Sequence, residues 1–531
     1  DGFVKIWLAP SVAPKALPHP DAVTIAIASA DGKKFITGGA DKIVRVWNPA
    51  NLAMERQFPG HTAPVTALAV SANGQLLVSG GADATIRFWN QAAGKEADIL
   101  TGHTAPITSL SLNAAGTQLL STAADGTLRL WQLPIVASKP FTHPDQVTSL
   151  AVSVDATKII TGGQDKTVKL WNLASGANER NFTGPTLAIT CVALSSDNKF
   201  VAAGSADKTL HLWGLGDAKV LQKLTMPSVV QAVAFTPDGQ FVFAGLADGV
   251  IKMHKSVDGK EAKAFVGHKG PIAGLAVAPK GDLLISAGAD KTIQLWTIAD
   301  GKPKSTLNHV GPIGSFALSK DGARVAAGSD KTIKVWNVAD GKELAKITSP
   351  AEIKGLGLLA DGNRVVVAGG DKLTRVFELD GKLVEMFAHE GPVHAAAFLD
   401  AKRIVSAGAD KQARLWTSAL LWQKAHAGPV RQAMFTPKGE IISCGDDKTI
   451  KWWNAADGKE IKALAAHDAA VLGLSLSGDG TKLASFGADK QIKLWNPAAA
   501  KPEDAAKPTA VIPLATPPQA IALSPNGSRL A

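Results

Sequence analysis

The chain has 531 residues, a formal net charge of +10 at pH 7 and no tyrosine. This length exceeds one ordinary hydrophobic core and predicts either two domains or an array of repeats. No run of eighteen apolar residues occurs, which excludes a membrane-spanning helix. Residues 1–7 (DGFVKIW) already have the pattern of a strand inside a repeat. We therefore expect a soluble protein. The sequence does not define its compartment, and whether a targeting segment precedes residue 1 is an open question.

The clearest copy of the repeat runs from Gly60 to Trp89 (GHTAPVTALAVSANGQLLVSGGADATIRFW). Apolar residues alternate around 65–70, 76–79 and 86–89, which predicts three short strands separated by turns. A fourth strand is expected at 96–100, before the next Gly-His pair. One four-stranded sheet of this size cannot bury both of its faces. Radial stacking of such sheets into a β-propeller buries them and leaves only short edges.

Closing aromatic positions, spaced by 37 to 42 residues, mark the end of each unit along the chain. Twelve units are complete, and a thirteenth is divided between residues 1–7 and 519–531. The pattern predicts an all-β chain of about 13 four-stranded blades in two tandem propellers, 7+6, or 7+7 if end residues are missing. The closing positions are Trp7, Trp47, Trp89, Trp131, Trp171, Trp213, His254, Trp296, Trp336, Phe377, Trp416, Trp453 and Trp495.

Each ring must close by pairing strands that are distant in sequence. We predict a first propeller at 1–289, closed by residues 1–7 against strands around 272–286, and a second at 290–531, closed by the C-terminal strands. A boundary one repeat earlier, near 247/248, is the alternative. The Pro-rich stretch 497–518 is expected to lengthen a surface connection in the last unit.

These units resemble the WD-repeat (WD40) family over almost the full chain. In that family a His, a Ser or Thr, an Asp and a Trp form a buried hydrogen-bonded tetrad in each blade. The units ending at Trp213, His254, Trp336 and Phe377 lack members. The resemblance implies eight complete structural tetrads: His19, Thr37, Asp41 and Trp47; His61, Ser79, Asp83 and Trp89; His103, Ser121, Asp125 and Trp131; His143, Thr161, Asp165 and Trp171; His268, Ser286, Asp290 and Trp296; His389, Ser406, Asp410 and Trp416; His426, Ser443, Asp447 and Trp453; His467, Ser485, Asp489 and Trp495.

The titratable residues give no sign of catalysis, a cofactor or a metal site. Nine of the twelve histidines follow the repeat, and none of these nine pairs with another at metal-ligand spacing. His211, His254 and His394 fall outside this repeated position. Cys191 and Cys444 lie far apart without a CxxC pattern, so we predict buried free thiols. No nucleophile or acid–base pair is recognisable, and the chain is predicted not to be an enzyme.

The basic residues also follow the repeat, which predicts solvated rims rather than a nucleic-acid site. Tyrosine is absent and most tryptophans close blades, so few rings are available for base stacking. Trp422 and Trp452 are expected to be exposed. One basic set follows the tetrad Asp (Lys42, Lys166, Lys208, Lys291, Lys331, Lys372, Lys411, Lys448, Lys490), and another lies four residues past it (Arg45, Arg87, Arg129, Lys169, Lys334, Arg375, Arg414, Lys451, Lys493).

Partners of WD-repeat rings usually meet the face that carries the Gly-His loops, often at the start of each first strand. In the first half these positions are small or uncharged, such as Thr24, Thr66, Thr108, Thr148 and Thr190. In the second half they include charged and aromatic groups. The resemblance therefore implies candidate partner-binding residues in the second ring: Lys354, His394, Arg431 and Asp446.

The sequence favours a non-enzymatic scaffold that presents rigid faces to protein partners. One alternative is an accessory region of a larger bacterial enzyme, redox or sensor protein, because the alanine-rich units resemble bacterial WD-repeat proteins. A second alternative is a structural subunit of a larger assembly, in which the incomplete end strands pair between chains.

Overall fold

The computed structural model describes residues 3–6, 15–29, 33–71, 74–91, 93–113, 115–135, 139–497, 507–518, 520–524 and 526–530. These residues form fifty β-strands and no helix. Twelve four-stranded antiparallel sheets and one two-stranded sheet contain all of the strands. The predicted all-β class and the four-stranded unit are confirmed.

The strands follow one another along the chain in three stretches. The first stretch holds β1 (Phe3–Ile6), β2 (Lys15–Pro18), β3 (Val23–Ala28), β4 (Phe35–Gly39), β5 (Ile43–Trp47), β6 (Met54–Pro59), β7 (Val65–Val70), β8 (Leu76–Gly81), β9 (Ile86–Asn90), β10 (Lys95–Leu100), β11 (Ile107–Leu112), β12 (Gln118–Ala123) and β13 (Thr127–Gln132). The second holds β14 (Lys139–Thr142), β15 (Val147–Val152), β16 (Lys158–Gly163), β17 (Val168–Asn172), β18 (Asn178–Phe182), β19 (Ile189–Leu194), β20 (Phe200–Ser205), β21 (Thr209–Gly214), β22 (Val220–Thr225), β23 (Val230–Phe235), β24 (Phe241–Leu246), β25 (Ile251–Lys255), β26 (Glu261–Phe265), β27 (Ile272–Val277), β28 (Leu283–Gly288), β29 (Thr292–Thr297), β30 (Pro303–Asn308), β31 (Ser315–Leu318), β32 (Arg324–Ser329), β33 (Thr332–Asn337), β34 (Glu343–Thr348), β35 (Ile353–Leu358), β36 (Arg364–Gly369), β37 (Leu373–Glu378), β38 (Leu383–Ala388), β39 (Val393–Phe398), β40 (Arg403–Gly408) and β41 (Gln412–Thr417). The third holds β42 (Leu420–Ala425), β43 (Val430–Phe435), β44 (Ile441–Gly445), β45 (Thr449–Trp453), β46 (Glu460–Ala465), β47 (Val471–Leu476), β48 (Leu483–Gly487), β49 (Gln491–Trp495) and β50 (Ala510–Pro513).

The position of a strand within its blade determines its burial. Neighbouring blades touch through their first strands, as β19 does with β15 and β23, so the first strands lie innermost. Second strands such as β8 are buried along most of their length because a neighbouring blade covers each face. Fourth strands such as β6 and β18 are largely exposed. Each blade thus runs from the ring axis outwards.

The chain divides into two compact units, which we call unit 1 (Asp1–Val136 with Ala419–Ala531) and unit 2 (Ala137–Ser418). Unit 2 contains seven four-stranded blades. Its strand β14 pairs antiparallel with β41 and completes the blade of β39 to β41. The first strands of that blade and of the next, β39 and β15, are in contact. Unit 2 is therefore a closed ring of seven blades.

Unit 1 takes strands from both ends of the chain. Its strand β42 pairs with β13 and completes the blade of β11 to β13. Five four-stranded blades follow in the ring order β3, β7, β11, β43 and β47. The sixth position holds two pieces: the pair β1–β2 next to β3, and a hairpin bridged at Leu523–Leu530 next to β47. This division of the thirteenth unit agrees with the sequence prediction.

The predicted boundary at 289/290, its alternative at 247/248 and the tandem order are all wrong. Unit 2 is inserted into unit 1, so the boundaries fall at 136/137 and 418/419. The physical reason is the pairing of the outermost strands. Strand β14 follows β13 in the sequence but pairs with β41 of unit 2. Strand β42 follows β41 in the sequence but pairs with β13 of unit 1. The expected closure of residues 1–7 against 272–286 does not occur, because β1 pairs with β2 in unit 1.

Candidate functional site

The predicted tetrad is complete in seven blades. In the blade of β7 to β10, the Trp89 indole donates to Ser79 Oγ at 2.8 Å, and the Ser79 hydroxyl donates to His61 Nε2 at 2.8 Å. His61 Nδ1 in turn donates to Asp83 at 3.0 Å. The chain of donors satisfies every buried polar tip and fits a neutral imidazole. The same contacts occur at His103, His143, His268, His389, His426 and His467.

The eighth predicted tetrad is only partly formed. His19 Nε2 and the Trp47 indole both contact Thr37 Oγ1, at 2.8 and 2.9 Å. His19 Nδ1, however, donates to the carbonyl of Leu17, and Asp41 forms an ion pair with Arg45 at 2.6 Å. The buried guanidinium thus takes the carboxylate that histidine holds in the other blades. This part of the tetrad prediction is wrong for His19 and Asp41.

Burial and hydrogen bonding shift the pKa values of the tetrad residues. Burial lowers the pKa of His103, His426 and His467, and the hydrogen bond to the paired aspartate opposes this only in part. Burial of Asp125 would raise its pKa, but the hydrogen bond from His103 and other donors hold the pKa far below the usual range. In these three tetrads an aspartate whose pKa is lowered therefore lies beside an imidazole that resists protonation.

The incomplete blades fill the tetrad space in other ways. His211 stacks on Trp213 with ring centroids 5.4 Å apart. His254 replaces the closing Trp and contacts the Gly259 carbonyl through Nδ1 at 3.0 Å. His309 faces Ala326 where other blades have a hydroxyl, and its buried Nε2 lacks a partner among the described residues. Arg375 is buried and binds Asp371. The four blades that lack tetrad members in the sequence all belong to unit 2.

The two basic sets differ in their surroundings. Lysines that follow the tetrad aspartate are exposed, as predicted, and form no ion pair within the described ranges. The set four residues past the aspartate is not a solvated rim, and that prediction is wrong. Arg45, Arg129 and Arg375 are buried, and cations of this set lie over closing tryptophans, for example Arg129 over Trp131 at 5.9 Å. Within the blades these cations form ion pairs with aspartates or cation–π contacts with tryptophans.

Two further predictions concern single side chains. Cys191 and Cys444 are free and buried, as predicted, and burial raises the pKa of Cys191 to about 11. Such thiols are poor nucleophiles. Trp452 is not exposed, because it belongs to the apolar core between two blades. Trp422 is half-buried and donates to the Ala455 carbonyl of the next blade at 2.8 Å.

In each unit, threonines on the first strands link neighbouring blades near the axis of that ring. These links were not predicted from the sequence. Thr190 Oγ1 donates to the carbonyl of Val230 at 2.5 Å, and Thr66 donates to Ile107 in the same way at 2.5 Å. Each acceptor is the first residue of the next blade's first strand. We call these contacts threonine links. They occur at Thr24, Thr66, Thr108, Thr148 and Thr190. The recurrence of Thr at one register position was the visible signal.

The four candidate partner-binding residues separate into two pairs. Lys354 and His394 lie on neighbouring first strands of unit 2, β35 and β39. Burial of His394 lowers its pKa, and the positive charge of Lys354 lowers it further. Lys354 also pairs with Glu352 at 2.6 Å. Arg431 and Asp446 lie in unit 1 and form a two-point ion pair at 2.5 and 2.7 Å. The structure therefore does not unite the four in one ring, because the predicted boundary was wrong.

Other kinds of site find little support in the described part of the chain. No group of three or more His, Cys, Asp and Glu residues there has the spacing to hold a metal ion. In the same ranges, no helix is long and apolar enough to cross a bilayer.

Comparison with known proteins gives the family. The family model "WD domain, G-beta repeat" matches 219–255, 259–297, 301–337, 381–417, 420–454 and 458–496. A second model, "IFT122 first beta-propeller", matches residues 22–228. The chain belongs to the WD-repeat family. The match at 420–454 begins with β42 and continues through the blade of β43, so it follows sequence order across the join between two blades of this WD-repeat protein.

Similar curated proteins share short segments with this WD-repeat chain. An uncharacterised WD repeat-containing protein of Synechocystis sp. is 33% identical over 94 residues, 17% of this chain and 27% of that protein. The human WD repeat and HMG-box DNA-binding protein 1 is 35% identical over 68 residues, 13% of this chain and 6% of that protein. The bovine serine-threonine kinase receptor-associated protein is 29% identical over 82 residues, 15% of this chain and 23% of that protein. The chain thus spans about a quarter or less of the length of these relatives.

Proposed function

We propose that this WD-repeat protein is a non-enzymatic scaffold whose propeller faces bind protein partners. Proteins of the family generally mediate contacts between proteins. The observation that carries the proposal is the use of the polar groups. The imidazole–carboxylate pairs, which could serve as acid–base pairs in catalysis, are buried in the tetrads. There the hydroxyl and the indole complete their hydrogen bonds. What reaches solvent is a preformed surface, which lowers the ordering cost of binding.

Lys354 and His394 are the best-placed candidates for partner contact in unit 2. They occupy the register position that Thr148 and Thr190 use for threonine links, yet neither forms such a link. The buried Nε2 of His394 has no partner among the described residues. An acidic side chain of a partner would compete with Glu352 for Lys354.

The test is capture from an extract of the native source with the tagged full chain, followed by mass spectrometry. The variant Lys354→Ala/His394→Ala should lose a partner that the wild-type chain retains. A matched control, Lys223→Ala/Lys304→Ala, changes exposed positions on outer strands β22 and β30 and should retain it. Equal capture by all three chains would refute the assignment of these residues. Capture of no protein by the wild-type chain would refute the scaffold.

A further inference from the structure

A cavity of about 320 Å³ lies among the first strands of unit 1. Its lining comes from β3, β7, β11, β43 and β47, and from residues 520–521 at the sixth position of the ring. It is therefore axial, and each of the six positions contributes a wall. Pockets that hold small organic molecules begin at about 300 Å³, so the volume suits one small ligand.

One wall of the cavity departs from the repeat. Phe486 follows the tetrad residue Ser485, where the other blades of unit 1 have Gly38, Gly80, Thr122 and Cys444. The ring of Phe486 packs so closely over Gly473 that a Cβ at position 473 would collide with it. An aromatic side chain thus replaces a small one beside the axis and gives the cavity a planar apolar surface. Such surfaces favour aromatic ligands.

The polar lining of the cavity consists mainly of hydrogen-bond donors. Gln432 uses its Oε1 to accept from the Leu474 backbone amide at 2.7 Å, which leaves its NH₂ group without a partner among the described residues. The Ser109 hydroxyl likewise has no partner within the described ranges. Thr108 is already engaged with the Val430 carbonyl. The Gln432 NH₂ group and the Ser109 hydroxyl can therefore donate hydrogen bonds to a ligand that has acceptor atoms.

Arg431 adds the one formal charge of the lining that the structure describes. Asp446, which lies outside the lining, binds Nε and Nη2 of its guanidinium and fixes its plane. The Nη1 group stays available. A guanidinium held in this way is suited to a carboxylate, because its orientation costs little further entropy when the ligand binds.

We propose that the axial cavity of unit 1 binds one small aromatic carboxylic acid. The ring of the acid packs against Phe486 and the leucines of the wall, and its carboxylate accepts from Arg431, with Gln432 and Ser109 as further donors. This site is independent of the proposed docking of protein partners on unit 2, so either can fail without the other.

Isothermal titration of the full chain with 2-naphthoate, and with the neutral 2-naphthalenemethanol, tests the proposal. We expect one molecule of naphthoate per chain and weaker binding of the alcohol. Arg431→Gln should weaken naphthoate binding about tenfold or more, the usual effect of removing one charge-assisted hydrogen bond, and leave the alcohol unchanged. Ala520→Trp places an indole in the cavity from an exposed position and should abolish binding of both.

The matched control is Lys223→Gln, which removes an exposed cation on the outer strand β22 of unit 2 and should bind naphthoate like the wild-type chain. Thermal melting of each variant verifies that it is folded. Absence of naphthoate binding to the wild-type chain would overturn the proposal. If naphthoate still binds to Ala520→Trp, the binding site lies outside this cavity. If Arg431→Gln binds naphthoate as tightly as the wild-type chain, Arg431 does not bind the carboxylate of the ligand.

Discussion

At the scale of single residues, one hydroxyl determines whether the polar tips of a blade are satisfied. Ser286→Ala should leave His268 Nε2 and the Trp296 indole without their shared partner and destabilise unit 2 by about 2–4 kcal/mol. In the next blade, Ala326→Ser should supply the hydroxyl that His309 lacks and stabilise the unit by about 1 kcal/mol. Calorimetric melting checks both. Changes of the same sign would contradict the role given to the hydroxyl.

The tetrad residues also predict how stability depends on pH. Burial holds the pKa of His103 in the folded chain below its usual value of about 6.5, so as the pH falls below about 6.5 the unfolded chain gains the proton first and stability is lost. The pKa of Asp125 is lowered from 3.8, so its contribution is present above about pH 3.8 and is lost as the pH falls further. The melting temperature should be level between pH 8 and 7, then decline below 6.5 and again below about 4. A flat profile from pH 8 to 5 would show that the buried histidines do not resist protonation.

At the scale of the element, the threonine links predict that the axis of the ring contributes to stability. Thr190→Val keeps the branched shape but removes the donor to the Val230 carbonyl, and should lower the free energy of unfolding of unit 2 by about 1 kcal/mol. Thr190→Ser retains the hydroxyl and should lose less. Amide hydrogen exchange across β19 and β23 would show whether the loss is local to the joined blades. A larger loss in Thr190→Ser than in Thr190→Val would assign the effect to methyl packing and contradict the link.

Most of the blade could be predicted from sequence because its information is local. Alternation and turn residues define β7, β8 and β9, and a fixed spacing from His61 to Trp89 defines the tetrad. The exceptions depend on competition in space. Arg45 takes the aspartate of its blade from His19, and only the three-dimensional neighbourhood decides between a guanidinium and an imidazole for that carboxylate. Trp452 is buried because the adjoining blade covers it.

At the scale of the whole molecule, ring closure could not be predicted because it rests on backbone pairing between outer strands. β14 and β42 each follow a closing Trp, and either could extend either blade by antiparallel hydrogen bonds. One signal was present: Trp416 and Trp453 are 37 residues apart, the shortest step in the chain. The short connection after Trp416 leads directly into β42, which belongs to the other unit. The candidate site residues were divided between rings for the same reason.

The insertion predicts which fragments fold. All strand pairs of the seven blades of unit 2 lie within residues 139–418, so a fragment of residues 137–418 should be a monomer with cooperative melting and the strand content of a closed propeller. A fragment of residues 1–289 contains β13 without β42 and β14 without β41, and open edges of this kind favour aggregation. It should be insoluble or molten under the same conditions. Size-exclusion chromatography with light scattering and circular dichroism would compare the two. A folded, monomeric 1–289 beside an unfolded 137–418 would restore the sequential arrangement and refute the inserted one.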